Sequence, residues 1–140
     1  MFKTILVASD GSESADQLVT VAQSLAREGQ AKVVVAHVVE LLVARGGVYP
    51  VRVDEEQLRQ RAESQVADLK AAGFDAEVQM RSTRQRTDRS LAEMARDCGA
   101  DLIVTGASHH GRFADLFFGS VGPRMSRLAP CPVLVVPSPN

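Results

Sequence analysis

Lysine is scarce in this chain of 140 residues: of sixteen basic residues, thirteen are Arg and three are Lys. Arg presents a planar fork suited to bidentate contacts with carboxylate or phosphate, although biased composition gives the same excess. The net charge is -1, so the basic surplus of a general nucleic-acid binder is missing. Cysteine is rarer still. Cys98 and Cys131 form no CxxC pair, and reduced thiols in a cytosolic protein are the expected state. Cys98 falls at an apolar helical position and reads as core. No apolar stretch is long enough to span a bilayer, and Met1 to Val7 leads directly into a strand-like run without a signal-peptide pattern. A cytoplasmic protein with no membrane contact is therefore expected. Linkers, internal repeats and low-complexity segments are absent too, which leaves one domain. Its 45% hydrophobic residues suffice for a core without staples.

What is present is an alternation of short apolar runs and amphipathic segments. Lys3–Ser9 reads as a buried parallel strand, closed by the turn signal Asp10-Gly11-Ser12. Ser14 and Gln17 have capping-box spacing. Ala15, Leu18, Val19, Ala22, Leu25 and Ala26 then share one helical face, and Gly29 suits the C-terminal stop. Lys32–Val39 is a second buried strand. The connection after it, with Gly46, Gly47 and Pro50, is long enough to suggest a functional or mobile loop. Asp54 and Gln57 resemble a capping box ahead of a helix marked by Leu58, Ala62, Val66, Leu69 and Ala72. Ala76, Val78 and Met80 alternate with polar residues, as in a half-buried edge strand. Four arginines follow (Arg81, Arg84, Arg86 and Arg89), readable as a solvated face or as a contact for an anionic ligand or an acidic partner. Leu91, Met94, Ala95 and Cys98 mark a third helix, 101–105 a fourth strand, 120–128 a short helix and 132–136 a last strand. Strands alternating with helices predict an α/β fold, a parallel sheet with helices on both faces.

In such open sheets ligands bind at the carboxyl ends of strands, where strand order reverses. Two loops have suitable chemistry. After the first strand, Ser9 and Asp10 precede Gly11; an ionised Asp10 accepts hydrogen bonds from a ribose hydroxyl or an amino group. After the fourth strand come Gly106, Ser108, His109, His110 and Gly111, then Gly119, Ser120 and Val121. Glycines let backbone N–H groups approach an anion, and a helix beginning at Ser120 offers free N–H groups to phosphate. Taken singly, each loop reads more simply as a turn and a helix cap; the two together bring the binding reading level with it.

These segments together resemble the universal stress protein family. Lys3-Thr4-Ile5-Leu6-Val7-Ala8-Ser9-Asp10-Gly11-Ser12 resembles its first strand and aspartate, and Ala36-His37-Val38-Val39 its second strand. Ala100-Asp101-Leu102-Ile103-Val104-Thr105-Gly106 is similar to its fourth strand. Leu116-Phe117-Phe118-Gly119-Ser120-Val121 resembles its phosphate loop, and Ala129-Pro130-Cys131-Pro132-Val133-Leu134-Val135-Val136 its closing signature. The resemblance covers essentially the whole chain and places the domain at 1–137 with a short tail at 138–140. It implies an open five-stranded parallel, Rossmann-like sheet of order 3-2-1-4-5 and a homodimer through the C-terminal strand. It also implies a nucleotide site with adenine near Val38, ribose near Asp10, and phosphates along Gly106, Gly119, Ser120 and Val121; Ser9, Ser108, His109 and Gly111 complete the candidates.

The family's ATP-binding subgroup spaces its glycines as Gly, two residues, Gly, nine residues, Gly, then Ser or Thr. Counting back from Gly119-Ser120, the first glycine is Gly106 and the middle one is replaced by His109. Gln85 and Thr87 stand where the family often has Gly and Pro. A nucleotide-binding stress-response protein is expected, acting as sensor or regulator with an unidentified protein partner. Its ligand would be an adenine nucleotide, with ATP, accompanied by Mg, bound weakly. The alternative is a dimeric regulatory or interaction module that binds no ATP; a cyclic-nucleotide sensor is a third reading. With no Walker lysine, no Ser-His-Asp spacing and no carboxylate set beyond Asp10, a binding protein rather than an enzyme is expected, with ATP hydrolysis slow at most. No metal site is expected.

Overall fold

Ile5, Leu6 and Val7 point alternately to opposite sides of their strand, yet none is exposed. A strand with that pattern must be covered on both faces. The structure, a computed structural model, describes residues 1–9, 13–51, 54–106 and 121–137. In chain order the elements are β1 (Thr4–Ala8), α1 (Glu13–Gly29), β2 (Lys32–Ala44), β3 (Gly47–Pro50) and α2 (Glu55–Ala71). Then come β4 (Ala76–Thr83), α3 (Thr87–Cys98), β5 (Leu102–Gly106), α4 (Val121–Leu128) and β6 (Val133–Val136).

β1 pairs in parallel with β2 on one edge and with β5 on the other. β4 joins β2, and β6 joins β5, both in parallel. These five strands lie in the order β4-β2-β1-β5-β6, which is the expected order 3-2-1-4-5. The expected count is corrected, however: the sheet has six strands, because β3 pairs antiparallel with the end of β2.

That strand replaces the expected long loop. Leu41-Leu42-Val43 carries β2 onward to Ala44, and Ala44 pairs with Gly47 across a two-residue turn. Gly46 takes φ +95, a conformation that glycine adopts without steric cost. The returning Val51 N–H then donates to the Glu40 carbonyl at 2.8 Å.

The two faces are packed separately. On one, Ile5, Val7, Val33, Val35, Leu102 and Val104 meet Ala22 and Ala26 of α1 and Val66 and Leu69 of α2. On the other, Leu6, Val38 and Ile103 meet Leu91 and Met94 of α3 and Met125 of α4. Each fully buried Leu, Ile or Val contributes about 1.5–3 kcal/mol. Among the described residues, no helix is long and apolar enough to cross a membrane.

The helix ends differ from the sequence reading in three places. α1 starts at Glu13, so Ser14 lies inside its first turn. Asp54 is the N-cap of α2 but makes no side-chain capping bond. Gly29 is the last residue of α1 rather than its stop, and Gln30 takes the left-handed position with φ 52. Gly29 serves close packing instead: an added Cβ would lie 2.9 Å from the Phe2 carbonyl oxygen.

At the amino ends of the central strands, the Asp101 carboxylate accepts hydrogen bonds from the Lys3 N–H at 2.9 Å and the Thr4 N–H at 3.0 Å. Burial pushes this carboxyl up, but hydrogen bonds from the N–H groups of Lys3, Thr4 and Asp101 itself, with the N-terminal charge, outweigh it and hold its pKa below the usual value. A depressed carboxylate pKa adds stability above the unfolded value, near 3.9, which is lost as pH falls through the folded value. Asp101→Asn is therefore expected to cost about 1 kcal/mol at pH 7. Urea unfolding at several pH values should show the gap between variant and wild type closing below about pH 4; a constant gap would refute the assignment.

Candidate functional site

The chain steps outward from β1 to β2 and β4, then returns past β1 to β5. Order reverses between β1 and β5, so their carboxyl ends form the topological switch point. Val7 is level with Val104. One residue on in each strand come Ala8, the last residue of β1, and Thr105, followed by Gly106 at the end of β5. The row extends to β2, where Ala8 is level with Ala36.

Ser9 is completely buried. Its N–H donates to the Ala36 carbonyl at 2.9 Å. Its hydroxyl donates to Gln65 Oε1 at 3.3 Å, and Gln65 Nε2 donates to Asp16 Oδ1 at 2.7 Å. One buried amide thus ties the end of β1 to the first turn of α1, on either side of residues 10–12. The Ser9 hydroxyl is turned toward α2 in this arrangement.

Val38 is buried against α3, and β2 runs on past it to Ala44. Gly106 ends β5, level with Val136 of β6. Val121 opens α4, directly after Ser120 in sequence. Thr105 is buried, and its hydroxyl has no hydrogen-bond partner among the described residues. Of the candidate residues, Ser9, Val38, Gly106 and Val121 are thus placed on β1, β2, β5 and α4. Asp10, Ser108, His109, Gly111, Gly119 and Ser120 lie outside the described residues.

The sequence reading did not single out three polar residues behind this end of the sheet. Gln65 is one. The others are His37, fully buried on β2, and Glu55 at the start of α2, joined by a 2.8 Å contact from His37 Nε2 to Glu55 Oε2. A signal existed for two of them. Gln65 interrupts the apolar stripe of α2, and His37 interrupts an otherwise apolar strand. A polar residue in such a position must find a partner when buried. Partial burial pushes the Cys98 and Cys131 thiols above the ordinary thiol value, which disfavours the reactive thiolate. Among the described residues, no group of three or more His, Cys, Asp and Glu side chains is arranged to hold a metal ion.

The family model described as "Universal stress protein family" matches residues 1–137. The chain belongs to the universal stress protein family. It is 32% identical to a universal stress protein of Thermus aquaticus, over 97% of this chain and 99% of the relative. Among solved structures it is similar to a member of the family from Burkholderia pseudomallei, with TM-score 0.70, 28% identity, and 97% and 96% of the two chains covered. It is also similar to a universal stress protein in complex with cAMP, with TM-score 0.63, 25% identity, and 96% of each chain covered.

Gln65 generates a prediction that needs no ligand. Gln65→Leu keeps the volume but leaves Ser9 and Asp16 without their shared partner. The expected cost is about 1–3 kcal/mol. Gln65→Glu paired with Asp16→Asn re-creates a donor facing an acceptor and should recover part of it. Equal stability of Gln65→Leu and wild type in urea unfolding would show that the amide is not a clamp.

Proposed function

We propose that this universal stress protein binds an adenine nucleotide at the carboxyl ends of β1 and β5 and acts as a sensor or regulator rather than a catalyst. The observation that carries the reading is the switch point itself. It sets the end of β1, which leads into Asp10, beside the end of β5, which leads into the glycine-bearing segment before α4. A solved relative in complex with cAMP supports the adenine class. Asp10 accepts from the nucleoside, and the backbone around Gly106 and Gly119-Ser120 takes the phosphate.

ATP, with Mg, is the weaker ligand in this reading because His109 replaces the middle glycine of the family pattern. A side chain at a position built for glycine costs about 1–3 kcal/mol, whereas a neutral hydrogen bond from its ring returns about 0.5–1.5 kcal/mol. The test is calorimetric titration of wild type, Asp10→Ala and His109→Gly with cAMP, AMP and ATP at pH 7.5. Asp10→Ala should weaken binding roughly 10-fold or more, the value of a charge-assisted bond. His109→Gly should tighten ATP binding up to about 10-fold. Unchanged affinity in Asp10→Ala would remove Asp10 from the site. Tighter ATP binding by wild type than by His109→Gly would make the histidine a phosphate ligand.

The same reading includes a homodimer. β6 ends the strand order, with β5 on its inner edge, and it carries Leu134 at 38% and Val135 at 41% exposure. An apolar edge strand is a template for pairing, and a second copy related by a two-fold axis supplies the matching strand. Val135→Lys is expected to give monomers by light scattering at low micromolar concentration. A Val135→Lys protein that stays dimeric there would place the interface elsewhere.

A further inference from the structure

β2 outruns its neighbours. A strand turns the main-chain groups of alternate residues to opposite edges, and three hydrogen bonds identify the edges here. The Lys32 N–H donates to the Lys3 carbonyl and the Ala36 carbonyl accepts from the Ser9 N–H, both on the β1 edge. The Val33 N–H donates to the Asp75 carbonyl, just ahead of β4. Even-numbered residues of β2 therefore address the β1 edge and odd-numbered residues the β4 edge. Glu40 is even-numbered, and its carbonyl accepts from the Val51 N–H. β3 thus lies on the β1 edge, in the line that β1 leaves after Ala8. The opposite edge ends as well, because β4 stops at Thr83, level with Glu40. Beyond that point the main chain of Val43 turns to an edge with no strand on it among the described residues.

What stands there is a two-stranded arm with no core beneath it. No residue from Leu41 to Val51 belongs to either core layer. Leu42 is 55% exposed and Val43 58%, and Val48, Tyr49 and Val51 are exposed too. The turn is already ordered: a Cβ on Gly46 would lie 3.3 Å from Tyr49 Oη, so the tyrosine folds back over the glycines. Two strands alone are marginal in water, and exposed edges are ordinarily guarded by Lys or Pro. β3 carries Pro50 on its outer edge. The stretch of β2 from Leu41 to Ala44 carries neither. Arg45, at the turn, is the only charged residue from Leu41 to Val51.

We propose that this unguarded edge pairs with the same edge of a second copy of the chain, β2 against β2, antiparallel about a two-fold axis at Val43. The pattern is self-complementary. Val43 is level with Val48 of β3, so two arms joined at the axis make a four-stranded sheet with the row Val48-Val43-Val43-Val48 on one face. Such β-branched cross-strand pairs stabilise a sheet. On the other face Leu42 meets Ala44 of the second copy. Arg45 of each copy comes level with Leu41 of the other, one residue short of Glu40, where Thr83 blocks further overlap. β4 thereby sets the register. An uncharged edge offers nothing to a charged partner, and Arg45 at the tip opposes insertion into lipid. The five exposed side chains present at most on the order of 400 Å² per copy, near the lower limit of about 1,000 Å² in total for a specific interface. The pairing is therefore weak, with a dissociation constant of about 100 µM. It uses no residue of the proposed nucleotide site, and β6 lies at the other end of the strand order.

The test is oxidative cross-linking of the full chain carrying Cys98→Ser, Cys131→Ser and one new cysteine, at about 100 µM protein with glutathione disulfide. Val43→Cys should give a covalent dimer, because facing α-carbons in a hydrogen-bonded pair are about 5.5 Å apart, within disulfide reach. Val48→Cys, also exposed but one strand further from the axis, should give at least about 10-fold less. Equal yields, dimer from Val48→Cys alone, or no dimer would overturn the pairing. The cross-link reads the arm whether or not β6 pairs. Light scattering supplies a second reading in Val135→Lys. Dimers should appear as concentration rises from about 5 to 500 µM, and adding Val43→Lys should raise the dissociation constant about 10-fold or more. A double variant that dimerises as well as Val135→Lys would also overturn the proposal. So would cosedimentation of wild type, but not Val43→Lys, with phosphatidylglycerol vesicles, which would make the arm a membrane contact.

Discussion

Strand β1 is covered on both faces and paired on both edges, and the other elements are placed by that requirement. Its residues Ile5, Leu6 and Val7 have no exposure. Covering both faces takes two helical layers, α1 with α2 and α3 with α4. Parallel pairing forces each connection to cross over a face, and such crossovers have one hand. The chain therefore builds outward from β1 in one direction and must return to fill the other edge. The reversal that creates the switch point is a consequence of burying this strand.

Burial has a cost at the carboxyl end, where the apolar layer meets polar side chains. His37, Ser9, Gln65 and Thr87 are all buried there. Each has found a partner: His37 with Glu55, Ser9 with Gln65, Gln65 with Asp16, and Thr87 Oγ1 with Glu40 at 2.9 Å. A buried polar group left alone costs more than a pair contributes, so these links fix the starts of α1, α2 and α3 relative to the strands.

The same physics explains what the sequence made legible. Strand order and both helical layers follow from apolar runs alternating with helical stripes, and those signals are long and redundant. The hairpin was missed because glycines and proline were weighed as loop residues. Leu41-Leu42-Val43 before Gly46-Gly47 and Val48-Tyr49 after it form the stronger pattern, two β-favouring runs around a short turn. Helix ends were misjudged where a tertiary contact decides. Gly29 is set by the approach of Phe2, and nothing local to Gly29 records that contact. Ser9, Val38, Gly106 and Val121 were located by motif, but Gln65 acts across α2 on a residue 56 positions away in sequence. Spacing rules cannot see such a link; only the rule that buried amides need partners points to it.

The two faces of the switch point are unlike, and the difference bears on which side a ligand meets. On the α1–α2 side the terminal row runs through Ser9 and His37, both committed to α2. On the α3–α4 side it runs through Thr105, Ala8 and Ala36, as the strand register requires. Alanine and threonine project less than the Ile103 and Leu6 of the preceding row, so the layer is thinner at this end. Gln79 of β4 continues that row beside Ala36, and the Thr105 hydroxyl has no hydrogen-bond partner among the described residues. The first face ties Ser9 and His37 Nε2 to α2, although His37 Nδ1 has no partner among the described residues; the second carries small side chains and the Thr105 hydroxyl. The α1–α2 side is thus the one whose helices hold the strand ends in place, through Gln65 and Glu55.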